Sequence, residues 1–116
     1  MTRVPGGKGF NAARAASSIG AEVVATGIVG GPTGEWIAQI LPAPRLIVSL
    51  IPGTAPTRTS VSVEARDGSG LTEFYEPSAP VTAQEWTELE ATIAHASNAI
   101  AALTGKPLRE LPFKLG

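Results

Sequence analysis

Apolar residues recur at helical spacing in the first part of the chain and then form a short unbroken run. In the alanine-rich segment 10–19, four residues keep the helical period: Phe10, Ala13, Ala16 and Ile19. Gly20 follows, at the position where a left-handed residue commonly ends a helix. The next segment, EVVATGIV at 22–29, is mostly apolar and β-branched, which is typical of a strand buried on both faces in a parallel sheet. A helix followed directly by such a strand indicates an α/β fold.

A short helix and a second strand come next. In GGPTGEWIAQILP we predict that Thr33 is the N-cap and that Glu35 lies in the first turn, where the helix dipole favours an acidic residue. Pro42 is the predicted stop. The segment RLIVSLI at 45–51, bounded by prolines, predicts a strand.

The pattern changes to strict alternation in the segment 57–76. TRTSVSVEA places apolar side chains on one face and polar side chains on the other, RDGSG turns the chain, and LTEFYE returns. We therefore predict an antiparallel hairpin with one polar face. Within an otherwise parallel pattern, such a hairpin indicates a flap or extension and not a central element.

The segment APVTAQEWTELEATIAHAS predicts a helix that begins at Ala83. Thr82 and Glu85 have the spacing of a capping box, and Val81 and Trp86 occupy the two positions of a hydrophobic staple. The predicted buried stripe of this helix is Trp86, Leu89, Ile93 and Ala96.

The end of the chain carries weaker signals. AIAAL at 99–103 is compatible with a further buried strand, whereas 104–116 offers only turn residues and scattered apolar ones. The sequence contains no internal repeat and no low-complexity segment. Its 116 residues suit one domain or part of one.

Composition narrows the classes of function. Nine Lys+Arg against ten Asp+Glu give a net charge of −1, which disfavours nucleic-acid and membrane partners. The absence of cysteine excludes disulfides and thiolate metal ligands. His95 is the single histidine, so a metal site built on it is disfavoured. Because the chain starts without a signal-like segment and lacks a run of 18 apolar residues, we expect a soluble cytoplasmic protein.

A glycine-rich loop directly precedes the first helix. Gly6 and Gly7 leave backbone N–H groups unshielded at the positive end of the helix dipole, and Lys8 adds an ammonium group. Asn11 in the first turn offers both a donor and an acceptor. This combination suits an anionic or hydroxyl-bearing ligand. The alternative is that the glycines only allow a tight approach into a packed helix and that Lys8 is solvated.

Two well-known phosphate-binding loops do not fit the spacing. A Walker A loop requires Ser or Thr after its lysine, but Lys8 is followed by Gly9 and Lys106 by Pro107. The second glycine cluster, GIVGGPTGE, lies between a strand and a helix, yet its spacing is not G-x-G-x-x-G and no acidic residue follows at a strand end about 20 positions on. A nucleotide-binding domain built on this cluster stays as a disfavoured alternative.

Three segments together resemble the ribokinase/PfkB carbohydrate kinases, and in particular their hexose-phosphate kinase branch. They are GGKGFNAARAASSIGAEVVATGIVGGPTGEWI, TRTSVSV and LTEFYEPSAPVTAQEW, and their order and spacing hold over about 4–97. The resemblance implies a partial ribokinase-like three-layer α/β/α fold. Residues 1–116 would be the N-terminal portion of the kinase domain, with the hairpin at about 57–76 inserted as a lid.

The resemblance also implies which residues bind substrate. Gly6, Gly7 and Asn11 match the family's sugar-binding loop, and Lys8 matches the lysine of the hexose-phosphate branch. Arg58, in TRTS, matches an arginine that binds the phosphate already on the sugar, a role that suits a planar guanidinium. The alternative for Arg58 is an exposed strand arginine.

The implied activity is ATP-dependent transfer of a phosphoryl group to a hydroxyl of a fructose or tagatose phosphate. The resemblance implies ATP and Mg²⁺ for the whole family member, and a homodimer through the lid as one option. Glu76 stands in the family's N-E-P-G turn, with Tyr75 and Ser78 in place of the asparagine and the last glycine.

The chain contains no G-A-G-D motif and no earlier strand with the family's sugar-binding aspartate. Since phosphoryl transfer depends on positioned charges and a base, we expect that these 116 residues alone do not bind the nucleotide productively and do not phosphorylate sugars. The competing hypothesis is a non-catalytic sugar-phosphate-binding or interaction module.

Overall fold

The computed structural model describes residues 1–104, which form three helices and four strands. In chain order they are α1 (Lys8–Ser18), β1 (Val23–Val29), α2 (Gly31–Ile40), β2 (Leu46–Pro52), β3 (Ser60–Glu64), β4 (Leu71–Tyr75) and α3 (Ala83–Thr104). Strands β1 and β2 pair in parallel, from Val23 opposite Leu46 to Val29 opposite Pro52. Strands β3 and β4 form a separate antiparallel hairpin.

Helices cover both faces of the parallel pair. On one face, Phe10 of α1 lies against Gly27, with its ring 3.3 Å from the position that a Cβ would occupy. Side chains of α1, α2 and the two strands form the core there: Ala13, Ala25, Ile37, Leu41 and Leu46. Helix α3 also packs on both strands, and its Glu85 shares a cleft with Ile28, which points to the opposite face from Gly27. The expected three-layer α/β/α arrangement is confirmed.

Helix α1 ends as the sequence indicates. Gly20 has φ +101°, its N–H donates to the Ser17 carbonyl, and the Ala21 N–H donates to the Ala16 carbonyl, which is the Schellman pattern. Ile19, the last residue of the helical period, is the C-cap and is 86% exposed at the end of the helix.

The predicted start of α2 is wrong by three residues. The N-cap is Gly30, not Thr33, and Glu35 therefore lies beyond the first turn. Pro32 explains the earlier start, since a first-turn residue needs no N–H donor and proline presets a helical φ. The helix ends at Ile40, shortly before Pro42 as predicted.

Burial in the strands is lower than the sequence indicates. Only Ala25 of β1 is buried, and the rest of that strand is half-buried. The reason is that, within residues 1–104, β1 has a single neighbouring strand, β2. The hairpin at 57–76 is confirmed, with its turn at 65–70. All ten residues of its strands are exposed, including the apolar ones.

Helix α3 begins at Ala83 and has the predicted capping box. The predicted burial of Trp86 is wrong, since it is 53% exposed. Val81, the other position of the predicted hydrophobic staple, is 51% exposed. Glu85 is instead the buried residue of the first turn, and Trp86, one position further round the helix, faces away. Leu89, Ile93 and Ala96 are half-buried.

The run 99–103 belongs to α3 and is not a strand, and 105–116 lie outside the described residues. Within the described part, no helix has the length and apolar character needed to cross a membrane.

Candidate functional site

The glycine-rich loop before α1 is open. Gly7 has φ +94°, a conformation that favours glycine, and it serves as the N-cap without a side-chain hydrogen bond. A Cβ placed at Gly6, Gly7 or Gly9 would meet no other atom of residues 1–104 within 4 Å. The loop therefore leaves space for a ligand to approach the backbone.

Asn11 is held in a defined orientation beside this loop. Its backbone N–H donates to the Gly7 carbonyl over 3.0 Å, which forms the first hydrogen bond of the helix. Its Oδ1 accepts a hydrogen bond of 2.7 Å from Nη2 of Arg14. Because Arg14 occupies the amide oxygen, the Asn11 amide nitrogen is left to donate outward. The sequence analysis missed Arg14, although its i+3 spacing from Asn11 was the available signal.

The loop lies at the carboxyl edge of the parallel strands. Helix α1 runs antiparallel to β1, and Phe10 near its start lies against Gly27 near the end of β1. Ligands of open α/β sheets bind beyond the carboxyl ends of the strands. Gly6, Gly7, Lys8 and Asn11 are therefore placed where such a fold offers a site, and Lys8 and Asn11 are exposed there.

The second glycine cluster is filled by the chain itself. The Gly30 N–H donates to Oγ1 of Thr57 over 2.9 Å, and the Gly30 carbonyl accepts from the Thr57 N–H over 2.9 Å. A Cβ at Gly30 would collide with the Ala55 carbonyl oxygen, and one at Gly31 would lie 3.3 Å from Pro56. These glycines thus allow close packing of residues 53–57, and the geometry gives no support to a nucleotide site at this cluster.

Arg58 follows directly after this packed segment and borders a cleft. The cleft has a volume of about 190 Å³ and lies between the loop after β2 and the start of α3. Arg58 is exposed, and its Nη1 donates to the Glu76 carbonyl over 3.5 Å. Oε2 of Glu76 accepts from the Thr59 N–H over 2.8 Å, which closes the base of the hairpin beside Arg58.

The structure places all five predicted site residues at the same edge of the sheet but in two groups. Gly6, Gly7, Lys8 and Asn11 form the start of α1, whereas Arg58 lies on the cleft. The described residues that line the cleft are Ile28, Gly53, Ala55, Pro56, Thr57, Arg58, Ser78, Ala79, Pro80, Val81 and Glu85.

Glu85 is the buried charged residue of this cleft, with an exposed fraction of 7%. Its Oε1 accepts from the Thr82 N–H over 3.1 Å, and the Thr54 N–H reaches Oε2 over 3.4 Å. The hydrogen bond from the Thr82 backbone N–H contributes most to holding the pKa of the Glu85 carboxyl below its ordinary value of 4.5, and the Thr82 side chain adds to this effect. Burial raises the pKa, whereas the hydrogen bonds from Thr54 lower it further. The sequence indicated the helix cap but not the contact with Thr54, which lies 31 residues away.

A Mg²⁺ site has no support from residues 1–104, where no three His, Cys, Asp or Glu side chains are grouped to hold a metal ion. We therefore assign Mg²⁺ to no described residue.

Comparison with known proteins identifies relatives over nearly the whole chain. The sequence pattern of the pfkB family carbohydrate kinases matches residues 1–111. A 1-phosphofructokinase from Haloferax volcanii is 38% identical over 63 residues, which are 54% of this chain and 21% of that protein. The ATP-dependent 6-phosphofructokinase isozyme 2 of Escherichia coli is 29% identical over 102 residues, which are 87% of this chain and 33% of that protein.

A solved structure has the same fold. The crystal structure of phosphofructokinase-2 from Escherichia coli in complex with fructose-6-phosphate matches with a TM-score of 0.71 and 28% identity, over 78% of this chain and 30% of that one. The chain thus spans between a fifth and a third of the length of these relatives.

The lowered pKa of Glu85 predicts a pH dependence of stability. Because the folded-state pKa lies below the unfolded one, the contribution of this carboxylate is present above about pH 4.5 and is lost as pH falls through the folded-state value. We expect the melting temperature of the wild type to exceed that of Glu85→Gln at pH 6 and the difference to shrink towards pH 2. Thermal unfolding of both proteins from pH 2 to pH 7 measures this difference, and equal differences at both ends would contradict it.

Proposed function

Since the chain belongs to the pfkB family of carbohydrate kinases, we propose that its residues hold a phosphorylated hexose for ATP-dependent phosphoryl transfer to one of the sugar hydroxyls. Two relatives are named for fructose phosphates, and one solved neighbour contains fructose-6-phosphate. We propose a fructose or tagatose phosphate as the substrate class. The observation that carries this proposal is the open glycine loop at the carboxyl edge of the sheet.

Each proposed contact follows from the chemistry of its residue. Gly6 and Gly7 let the sugar ring approach the backbone, where N–H groups at the start of α1 and the helix dipole favour oxygen-rich and anionic groups. Asn11, with its oxygen held by Arg14, donates its amide N–H to a sugar hydroxyl. Lys8 supplies an exposed cation beside the loop, which attracts an anionic ligand.

Arg58 is the proposed ligand of the phosphate that the sugar already carries. Its guanidinium is exposed beside the cleft, and a single long bond to the Glu76 carbonyl leaves the remaining N–H groups for phosphate oxygens. A bidentate contact of this kind requires arginine and not lysine.

Binding of fructose 6-phosphate tests this proposal. Arg58→Ala is expected to lower the affinity by about 10-fold or more, the cost of losing charge-assisted hydrogen bonds. The matched control is Arg66→Ala, which removes the same charge at the far turn of the hairpin and is expected to leave affinity unchanged. Isothermal titration calorimetry and the ligand-induced rise in melting temperature measure both effects.

Absence of binding to the wild type, or equal binding to the wild type and Arg58→Ala, would contradict this assignment. A rise in melting temperature with NAD or ATP, and none with hexose phosphate, would favour the nucleotide-binding alternative instead.

The second candidate function is a non-catalytic sugar-phosphate-binding or interaction module. It is favoured by the open glycine loop and by the exposed Arg58 guanidinium beside the cleft, which suit ligand binding without requiring phosphoryl transfer. We expect this 116-residue chain to give background rates in a coupled ADP-release assay with fructose 1-phosphate, fructose 6-phosphate and tagatose 6-phosphate. Clear turnover of any of them by the purified chain would refute this expectation.

A homodimer through the hairpin is a further part of the proposal. Val61, Val63 and Phe74 share one face of the hairpin and are 44%, 52% and 61% exposed. Apolar surface of this kind is stabilised when a second copy covers it.

Sedimentation velocity tests the dimer. We expect the wild type to sediment as a dimer and Val63→Lys as a monomer, because the lysine brings a charge onto the covered face. Ser62→Lys, on the opposite face of the same strand, is the control and should remain dimeric. A monomeric wild type would contradict this part of the proposal. The expected absence of nucleic-acid and membrane partners and the cytoplasmic location stay predictions from the sequence.

A further inference from the structure

The Glu85 carboxylate joins two segments that are distant in sequence. Within α3 it completes the capping box, because it accepts from the Thr82 N–H while Oγ1 of Thr82 accepts from the Glu85 N–H, both over 3.1 Å. Towards the loop of residues 53–58, the arginine loop, it accepts from the Thr54 N–H over 3.4 Å and from the Thr54 hydroxyl over 3.5 Å. A helix cap alone would need only the first pair of bonds.

The other side of the arginine loop is fastened to the end of β1. The Gly53 N–H donates to the Val29 carbonyl over 2.7 Å, and Thr57 exchanges hydrogen bonds with Gly30. A Cβ at Gly53 would lie 2.8 Å from Cγ2 of Ile28 and 3.1 Å from Oε2 of Glu85. The loop is thus packed tightly between the strand end and the carboxylate, and its last residue is Arg58.

We propose that Glu85 is a positioning residue for hexose-phosphate binding, which it serves by fixing the arginine loop so that Arg58 faces the cleft. This inference rests on the proposed function, since it presumes that Arg58 binds the phosphate. Glu85 and Arg58 line the same cleft. The carboxylate accepts hydrogen bonds from Thr54 and Thr82, and the guanidinium donates one to the Glu76 carbonyl. The negative charge of Glu85 is therefore held by N–H and hydroxyl donors, and Arg58 keeps N–H groups for a ligand.

Three variants separate positioning from helix capping. Glu85→Gln keeps a residue that suits the capping box but removes the charge that attracts both Thr54 donors. Gly53→Ala leaves Glu85 intact and displaces the loop from it. Thr82→Ala is the matched control, because it removes the side-chain cap of the same helix and leaves both Thr54 contacts in place.

Calorimetric titration with fructose 6-phosphate distinguishes the outcomes. Glu85→Gln and Gly53→Ala are expected to weaken binding by about 5- to 10-fold, as when part of a charge-assisted hydrogen-bond set is lost. Thr82→Ala is expected to lower the melting temperature and to bind as the wild type does. Wild-type affinity in Glu85→Gln, or equal weakening in Thr82→Ala, would overturn the proposal.

Amide hydrogen exchange by NMR provides a readout that needs no ligand. The amides of Thr54 and Thr57 should exchange faster in Glu85→Gln and should keep wild-type rates in Thr82→Ala. If the wild type fails to bind fructose 6-phosphate, the proposed function falls, and the exchange rates alone then decide whether Glu85 orders the arginine loop. Unchanged exchange in Glu85→Gln would overturn the positioning role whatever the titration shows.

Discussion

The close packing of residues 53–57 against the end of β1 is the constraint on which the rest of the site depends. Two parallel strands have to end side by side, and the chain leaving β2 has to cross over the start of α2. The crossing is possible because Gly30 and Gly31 present no side chain towards Ala55 and Pro56. The paired hydrogen bonds between Gly30 and Thr57 then determine where the chain departs from the sheet. Arg58, the hairpin and the cleft all take their positions from that point.

The two glycine clusters of the chain illustrate why composition alone does not identify a binding loop. Both lie next to a helix start, and both leave backbone N–H groups accessible in the sequence pattern. At Gly30 the N–H is bonded to Thr57 and the space is filled by the chain. At Gly7, where φ is +94°, the space beside the backbone is open within residues 1–104. The difference is that residues 53–57 pack on the cluster at Gly30, whereas no part of residues 1–104 packs on the cluster at Gly7.

Membership of the carbohydrate kinase family is consistent with the way charge is arranged around the cleft. Glu85, the buried acidic residue of the same cleft, accepts hydrogen bonds from Thr54 and Thr82 and is 7% exposed. The Arg58 guanidinium donates to the Glu76 carbonyl. Because a carbonyl is neutral, this contact orients the guanidinium without cancelling its charge. A cation kept available at the edge of an α/β sheet is what binding of a phosphorylated sugar requires.

The sequence by itself determined the elements and their order, because helical spacing, β-branched runs, glycine ends and the capping box act over a few residues. It also identified the family, since three segments keep their order over about 4–97. Its errors concern the N-cap of α2, the burial of Trp86 and the run 99–103, which belongs to α3 and is not a strand. Caps, burial and the secondary structure of a short apolar run all depend on which segments pack nearby.

Only the tertiary structure decided that Glu85 reaches Thr54 across 31 residues, that Arg14 orients Asn11, and that one glycine cluster is filled while the other is open. Each of these depends on where side chains and distant segments come to rest in space, which local sequence patterns do not encode.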